Sequence, residues 1–109
     1  MRRFVVKRGQ IWYAQLPNKV KHAFRPVVII NEFDTPNTEF VTIVPITHRY
    51  KMFRAHCVIG CVTKAYEDSI VQCENIMNIP KYCLKKLIRS TSTEEQTKID
   101  EKLRLQLSL

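Results

Sequence analysis

Residues 25–32 read RPVVIINE, and the fold turns on how this stretch is understood. Val27 to Ile30 are four apolar β-formers in succession, closed by Asn31 and Glu32 and followed by turn residues Asp34, Pro36 and Asn37. A run this short, bounded this way, is a buried strand. Pro26 cannot donate to a ladder, so it belongs among a strand's first residues or on an edge. Arg25 therefore stands at the mouth of the most hydrophobic strand. A solvated strand-end cation is the plain explanation for it. The alternative is a site that needs a permanent positive charge at the rim of the core.

Working outward, GQIWYAQL (9–16) sets Ile11 and Tyr13 against Trp12, Ala14 and Leu16, the alternation of a strand. PNKVKHAF (17–24) is a polar, basic loop between the two. After the turn at 33–39, FVTIVPIT (40–47) is a third strand with Pro45 near its end. Pairing of the second and third strands brings their chemistry together if the register permits. HRYKMFR (48–54) is a second basic loop, AHCVIGC (55–61) and DSIVQCENIMNI (68–79) are further strands, and KKLIRS (85–90) is the last. Between them PKYCLKK forms a short helical turn opened by Pro80.

The closing segment is the one good helix. Ser92 and Glu95 have the spacing of a capping box, in which each side chain satisfies the other's free backbone N–H. Ile99, Leu103 and Leu107 then fall on one apolar stripe suited to packing against the sheet. Many short strands with one late helix predict a mainly β (α+β) chain, a small antiparallel barrel or strongly twisted sheet. With 109 residues it is expected to form a single domain, 1–109.

Composition narrows the function. The formal net charge is +8, and residues 1–54 hold ten Lys/Arg against three Asp/Glu while 55–109 hold eight against seven. A one-sided basic excess favours a polyanion, nucleic acid first, although basic residues also simply keep a chain soluble. No apolar run approaches the roughly 20 residues of a bilayer span, and Lys7 and Arg8 interrupt the start MRRFVV before it can form a signal-peptide core, so a cytoplasmic location away from membranes is expected. Only two glycines are present, which leaves no phosphate-cradling glycine loop. Cys57, Cys61, Cys73 and Cys83 lack the paired spacing of a zinc ribbon. His56 does not repair that set, because strand neighbours point to opposite faces. Reduced, buried thiols are expected, with no metal and no cofactor.

Five segments, VKRGQIWYAQL, RPVVIIN, VPIT, EDSIVQCENIMNIPKYCL and the amphipathic C-terminal helix, occur in an order and spacing that resemble the MazF/PemK/Kid toxins of toxin–antitoxin pairs. The resemblance runs from about Val6 to the end. It implies an SH3-like barrel of the CcdB/PemK type, usually a homodimer. It also implies a metal-independent endoribonuclease that cuts single-stranded mRNA at a short sequence by attack of the substrate's own 2′-OH, leaving a 2′,3′-cyclic phosphate and a 5′-hydroxyl and so inhibiting translation and growth. A cognate antitoxin neutralises such toxins, and the pair can reach operator DNA through the antitoxin complex.

Such a reaction needs a base for the 2′-OH, fixed positive donors for charge on phosphorus, and an acid for the leaving oxygen. The family's arginine of the RP motif and the threonine ending the third strand correspond to Arg25 and Thr47. The family's acid two residues beyond an arginine corresponds to Glu74, but the arginine is replaced by Gln72. The loop before Arg25 departs further: it is shorter than in the family and carries neither Gly nor Glu. His22, its only group titrating near neutrality, is the expected acid or base there. Lys19 and Lys21, with His48, Arg49, Lys51 and Arg54 of the second basic loop, are candidate RNA contacts, with Tyr50 and Phe53 as stacking surfaces. The alternative is a non-catalytic toxin or degenerate relative that binds a protein target such as gyrase, an antitoxin or nucleic acid without cutting. The C-terminal LRLQLSL lacks the aromatic residue on which CcdB-like gyrase binders rely.

Overall fold

A computed structural model describes residues 6–16, 24–31, 39–47, 55–60, 62 and 69–109. Seven strands, β1 (Gln10–Gln15), β2 (Phe24–Ile29), β3 (Phe40–Thr47), β4 (His56–Ile59), β5 (Ser69–Gln72), β6 (Met77–Pro80) and β7 (Leu84–Ser90), precede α1 (Thr93–Leu107). All ladders are antiparallel, in the order β4-β5-β3-β2-β1-β7, with β6 also on β3. β3 is long enough to serve both: its first half pairs with β6 and its last two residues pair with β5.

The sheet has two apolar faces because the strands alternate. Ile11, Val28, Val44, Ile46, Cys57 and Val71 share one face and pack against Ile99 and Leu103 of α1. Trp12, Ala14, Val27, Ile29 and Ile43 occupy the other, with Ile79 and Leu84. Val27 and Val28 are both fully buried, on opposite faces, which is why the run from Val27 to Ile30 is apolar without interruption.

Among the described residues the sheet is not closed into the expected barrel: β4 and β7 are edges that share no ladder, and side chains join them instead. Arg89 of β7 reaches the carbonyl of Gly60, just past β4, at 3.2 Å, and Glu95 of α1 accepts from the Gly60 N–H at 2.8 Å. Residues 68–79, expected as one strand, are two. A turn closed by the Asn75 N–H on the Gln72 carbonyl, at 3.0 Å, separates β5 from β6. The helical turn shrinks to a 3₁₀ segment, Lys81–Cys83, because Pro80 remains extended at the end of β6.

Helix α1 begins as its capping box requires: Ser92 accepts from the Glu95 N–H at 3.1 Å, and Glu95 accepts from the Ser92 N–H at 2.8 Å. Its stripe is shorter than expected, however. Ile99 and Leu103 are buried, but Leu107 is 52% exposed, because the helix outruns the sheet it packs on. At the other end of the fold Gly9 has φ +87°, and a Cβ there would meet the Gln96 and Thr91 side chains within about 3.0 Å. Its N–H donates to Ile29 and its carbonyl accepts from Thr91, both at 2.8 Å, so this glycine fixes where β1 starts beside β2 and α1.

Candidate active site

Register assembles the site. β2 and β3 pair Val27 with Pro45 and Val28 with Val44, so the same register carried two residues further sets Arg25 against Thr47. β5 continues the surface on the other side of β3, with Ile70 opposite Thr47 and Gln72 opposite His56 of β4. Paired residues share a face. Arg25, Thr47, Gln72 and His56 therefore lie on the same face, near the ends of four neighbouring strands. Cys57 and Val71, one residue out of phase, lie in the core beneath.

Arg25 is half-buried, and its Nη2 donates to the Ile46 carbonyl at 3.4 Å and to Oε1 of Gln72 at 3.3 Å. Both are neutral acceptors, and they orient the guanidinium at the strand end. Gln72 thus takes the place of a basic residue by holding the arginine rather than duplicating it. Thr47 is half-buried at the end of β3.

Beyond Gln72 the chain turns, and Glu74 folds back over β4. Its Oε2 lies 2.6 Å from Nε2 of His56. The imidazole is 2% exposed and the carboxylate side chain 26%, so the ring is the floor of the pair and the carboxylate its surface. The second oxygen, Oε1, is buried and accepts no hydrogen bond among the described residues. Such an oxygen costs on the order of 1–3 kcal/mol unless something supplies a donor.

Of the residues singled out from sequence, Arg25 and Thr47 lie on one face at neighbouring strand ends, and Glu74 meets His56 on that face. His22, Lys19, Lys21, His48, Arg49, Lys51 and Arg54 lie outside the described residues, as do Tyr50 and Phe53. Sequence reasoning passed over His56 and reduced Gln72 to a lost arginine. The signal for His56 was its opposition to Cys57: a strand whose cysteine faces the core must turn its histidine to the other face. Trp12 packs in the core. Tyr13 is partly exposed and stacks on Phe24 at a centroid distance of 5.9 Å, but both rings belong to the face opposite Arg25.

The family model for PemK-like, MazF-like toxins of type II toxin–antitoxin systems matches residues 7–107. The chain belongs to this family. Its fold is that of other MazF-like proteins. A MazF from Deinococcus radiodurans superposes with a TM-score of 0.80 at 12% identity, covering 98% of this chain and 100% of the other. An endoribonuclease in complex with its cognate antitoxin, from a mycobacterial species, gives 0.78 at 19% identity over 96% and 97%. The Mycobacterium tuberculosis toxin MazF-mt6 gives 0.76 at 26% identity over 92% and 97%. No curated protein is similar enough in sequence to be counted a relative.

Proposed function

We propose that the protein is a toxin endoribonuclease that cleaves single-stranded RNA through the substrate's own 2′-OH, independently of metal, and that a cognate antitoxin neutralises it. The observation that carries this reading is the guanidinium of Arg25, anchored on neutral acceptors and set against Thr47 at one strand end. The membership of the chain among MazF-like toxins supports it, as does the endoribonuclease identity of a mycobacterial structure with the same fold.

In this mechanism a phosphodiester lies across Arg25, which stabilises the charge that grows on the non-bridging oxygens. The Thr47 hydroxyl donates to the same phosphate. Glu74 accepts the proton of the 2′-OH, the 2′-oxygen bonds to phosphorus, and the P–O5′ bond breaks with its electron pair on O5′. That oxygen takes a proton, for which His22 is the expected donor. The products are a 2′,3′-cyclic phosphate and a 5′-hydroxyl. The basic loop 48–54 holds the strand on either side, and two copies of the chain form the working dimer.

Incubating the purified protein with a long RNA in EDTA, and mapping the ends, tests this. Cleavage at a recurring short sequence is expected, and Arg25→Ala should lower it by at least about 100-fold, the scale of losing one preorganised oxyanion donor. Intact RNA from a folded wild-type protein would overturn the reading and leave a toxin that binds without cutting.

A further inference from the structure

We propose that His56 is a positioning residue of the cleavage reaction: it fixes the Glu74 carboxylate on the Arg25 face so that it meets the 2′-OH of bound RNA. The inference rests on Glu74 being the proton acceptor, and it adds how the carboxylate is held. His56 cannot itself touch substrate, since its ring is 2% exposed. What it does is limit Glu74. A glutamate on a turn has three rotatable bonds and reaches many places, and losing that freedom during reaction carries an entropic cost. A buried ring whose Nε2 lies 2.6 Å from Oε2 removes it beforehand. The ring is rigid in turn, because its strand position is set by pairing with Gln72 on one side and by Cys57 in the core on the other.

The carboxylate side chain remains 26% exposed, and the 2′-hydroxyl gives its hydrogen to it as the 2′-oxygen bonds to phosphorus. The His56–Gln72 pair then has two outputs: Gln72 holds Arg25 at 3.3 Å, and His56 holds Glu74. One cross-strand pair aligns the group that takes the proton with the group that stabilises the phosphate. On its face this pair meets Arg25, through Gln72, and Glu74, while Cys57 and Cys73 lie in the core on the other.

The test uses the full chain and an RNA oligonucleotide spanning a cleavage site mapped on long RNA. His56→Phe is expected to lower the single-turnover rate at saturating protein by about 10–100-fold, the range for partners that orient a reactive group. Affinity for the same oligonucleotide with a 2′-deoxy nucleotide at the site should stay within about twofold. His56→Gln, whose amide can still donate to Glu74, should recover a large part of the rate, and His56→Phe should cost nothing further in a Glu74→Gln background. A folded His56→Phe protein that cleaves at the wild-type rate overturns the proposal. If Glu74→Gln itself cleaves normally, the assignment of Glu74 fails instead, which separates the two claims. Should neither His56 variant fold, the His56 imidazole N–H resonance of the Arg25→Ala protein decides. It shifts when the intact oligonucleotide binds, and an unmoved resonance overturns the proposal.

Discussion

Arg25 and Cys73 belong to neighbouring parts of one sheet but to opposite sides of it, and their chemistry diverges accordingly. Arg25 donates to two neutral oxygens at the rim. Cys73 lies in the core under α1, where burial, more than the nearby Cys57 and Glu74, pushes its thiol up to about 12. Burial raises Cys57 as well, against weaker opposition from Lys98 and Lys102. Because the thiolate is the reactive form, neither cysteine should react with an alkylating reagent at neutral pH until the protein unfolds. Mass spectrometry of the labelled native protein checks this, and rapid modification of Cys57 or Cys73 would show that the face against α1 opens. Arg25 was visible in the sequence as an anomaly, a charge at the mouth of an apolar strand. Its pairing with Thr47 could be inferred only through family resemblance, because the register that joins them is not written in either segment. His56 was harder still. Its partner Glu74 lies 18 residues along the chain, across a strand pair and a turn that the sequence presented as one continuous strand.

Among the elements, α1 is the best specified locally and the most dependent on others. Glu95 accepts from the Ser92 and Gly60 N–H groups and from both terminal nitrogens of Arg89, at 2.8–3.0 Å. The Arg89 hydrogen bonds, outweighing partial burial and aided by the two backbone donors, hold its carboxyl down at about 2, against an ordinary 4.5. A depressed carboxyl binds fewer protons folded than unfolded as the pH falls. Its contribution is therefore complete above about pH 4.5 and is lost between there and about pH 2. Thermal unfolding across that window should show Glu95→Gln less acid-sensitive than wild type, and Glu95→Ala less stable by about 2–3 kcal/mol at pH 7. Equal acid sensitivity would mean that the fork to Arg89 does not persist in solution. Gly9 makes a second test at this scale. An alanine there would need a left-handed φ and would press on Gln96 and Thr91, so Gly9→Ala should cost about 1–2 kcal/mol in chemical denaturation. No loss would place β1 differently against the helix. The capping box was fully legible, because its two residues are three apart. The end of the apolar stripe was not, because periodicity cannot say where the supporting sheet stops.

At the scale of the molecule, the alternating strands and one capped helix already implied a mainly β chain with a late helix. Closure was the part that pattern could not reveal. Strand count suggests a barrel, but a ladder between β4 and β7 requires edges that meet. Here α1 stands across them, with Glu95 and Arg89 doing by side chain what a ladder would do by backbone. That solution leaves the Arg25 face at the far side of the sheet from the helix. The proposed reaction has the substrate's 2′-oxygen as nucleophile and the protein supplying charge, proton transfer and alignment. The measurement that tests it most directly compares two oligonucleotides of the mapped cleavage sequence, one all-RNA and one with a single 2′-deoxy nucleotide on the 5′ side of the scissile phosphate, in EDTA. The account predicts that the first is cut to a 2′,3′-cyclic phosphate and a 5′-hydroxyl while the second is bound and left intact. Cleavage of the 2′-deoxy strand would contradict it.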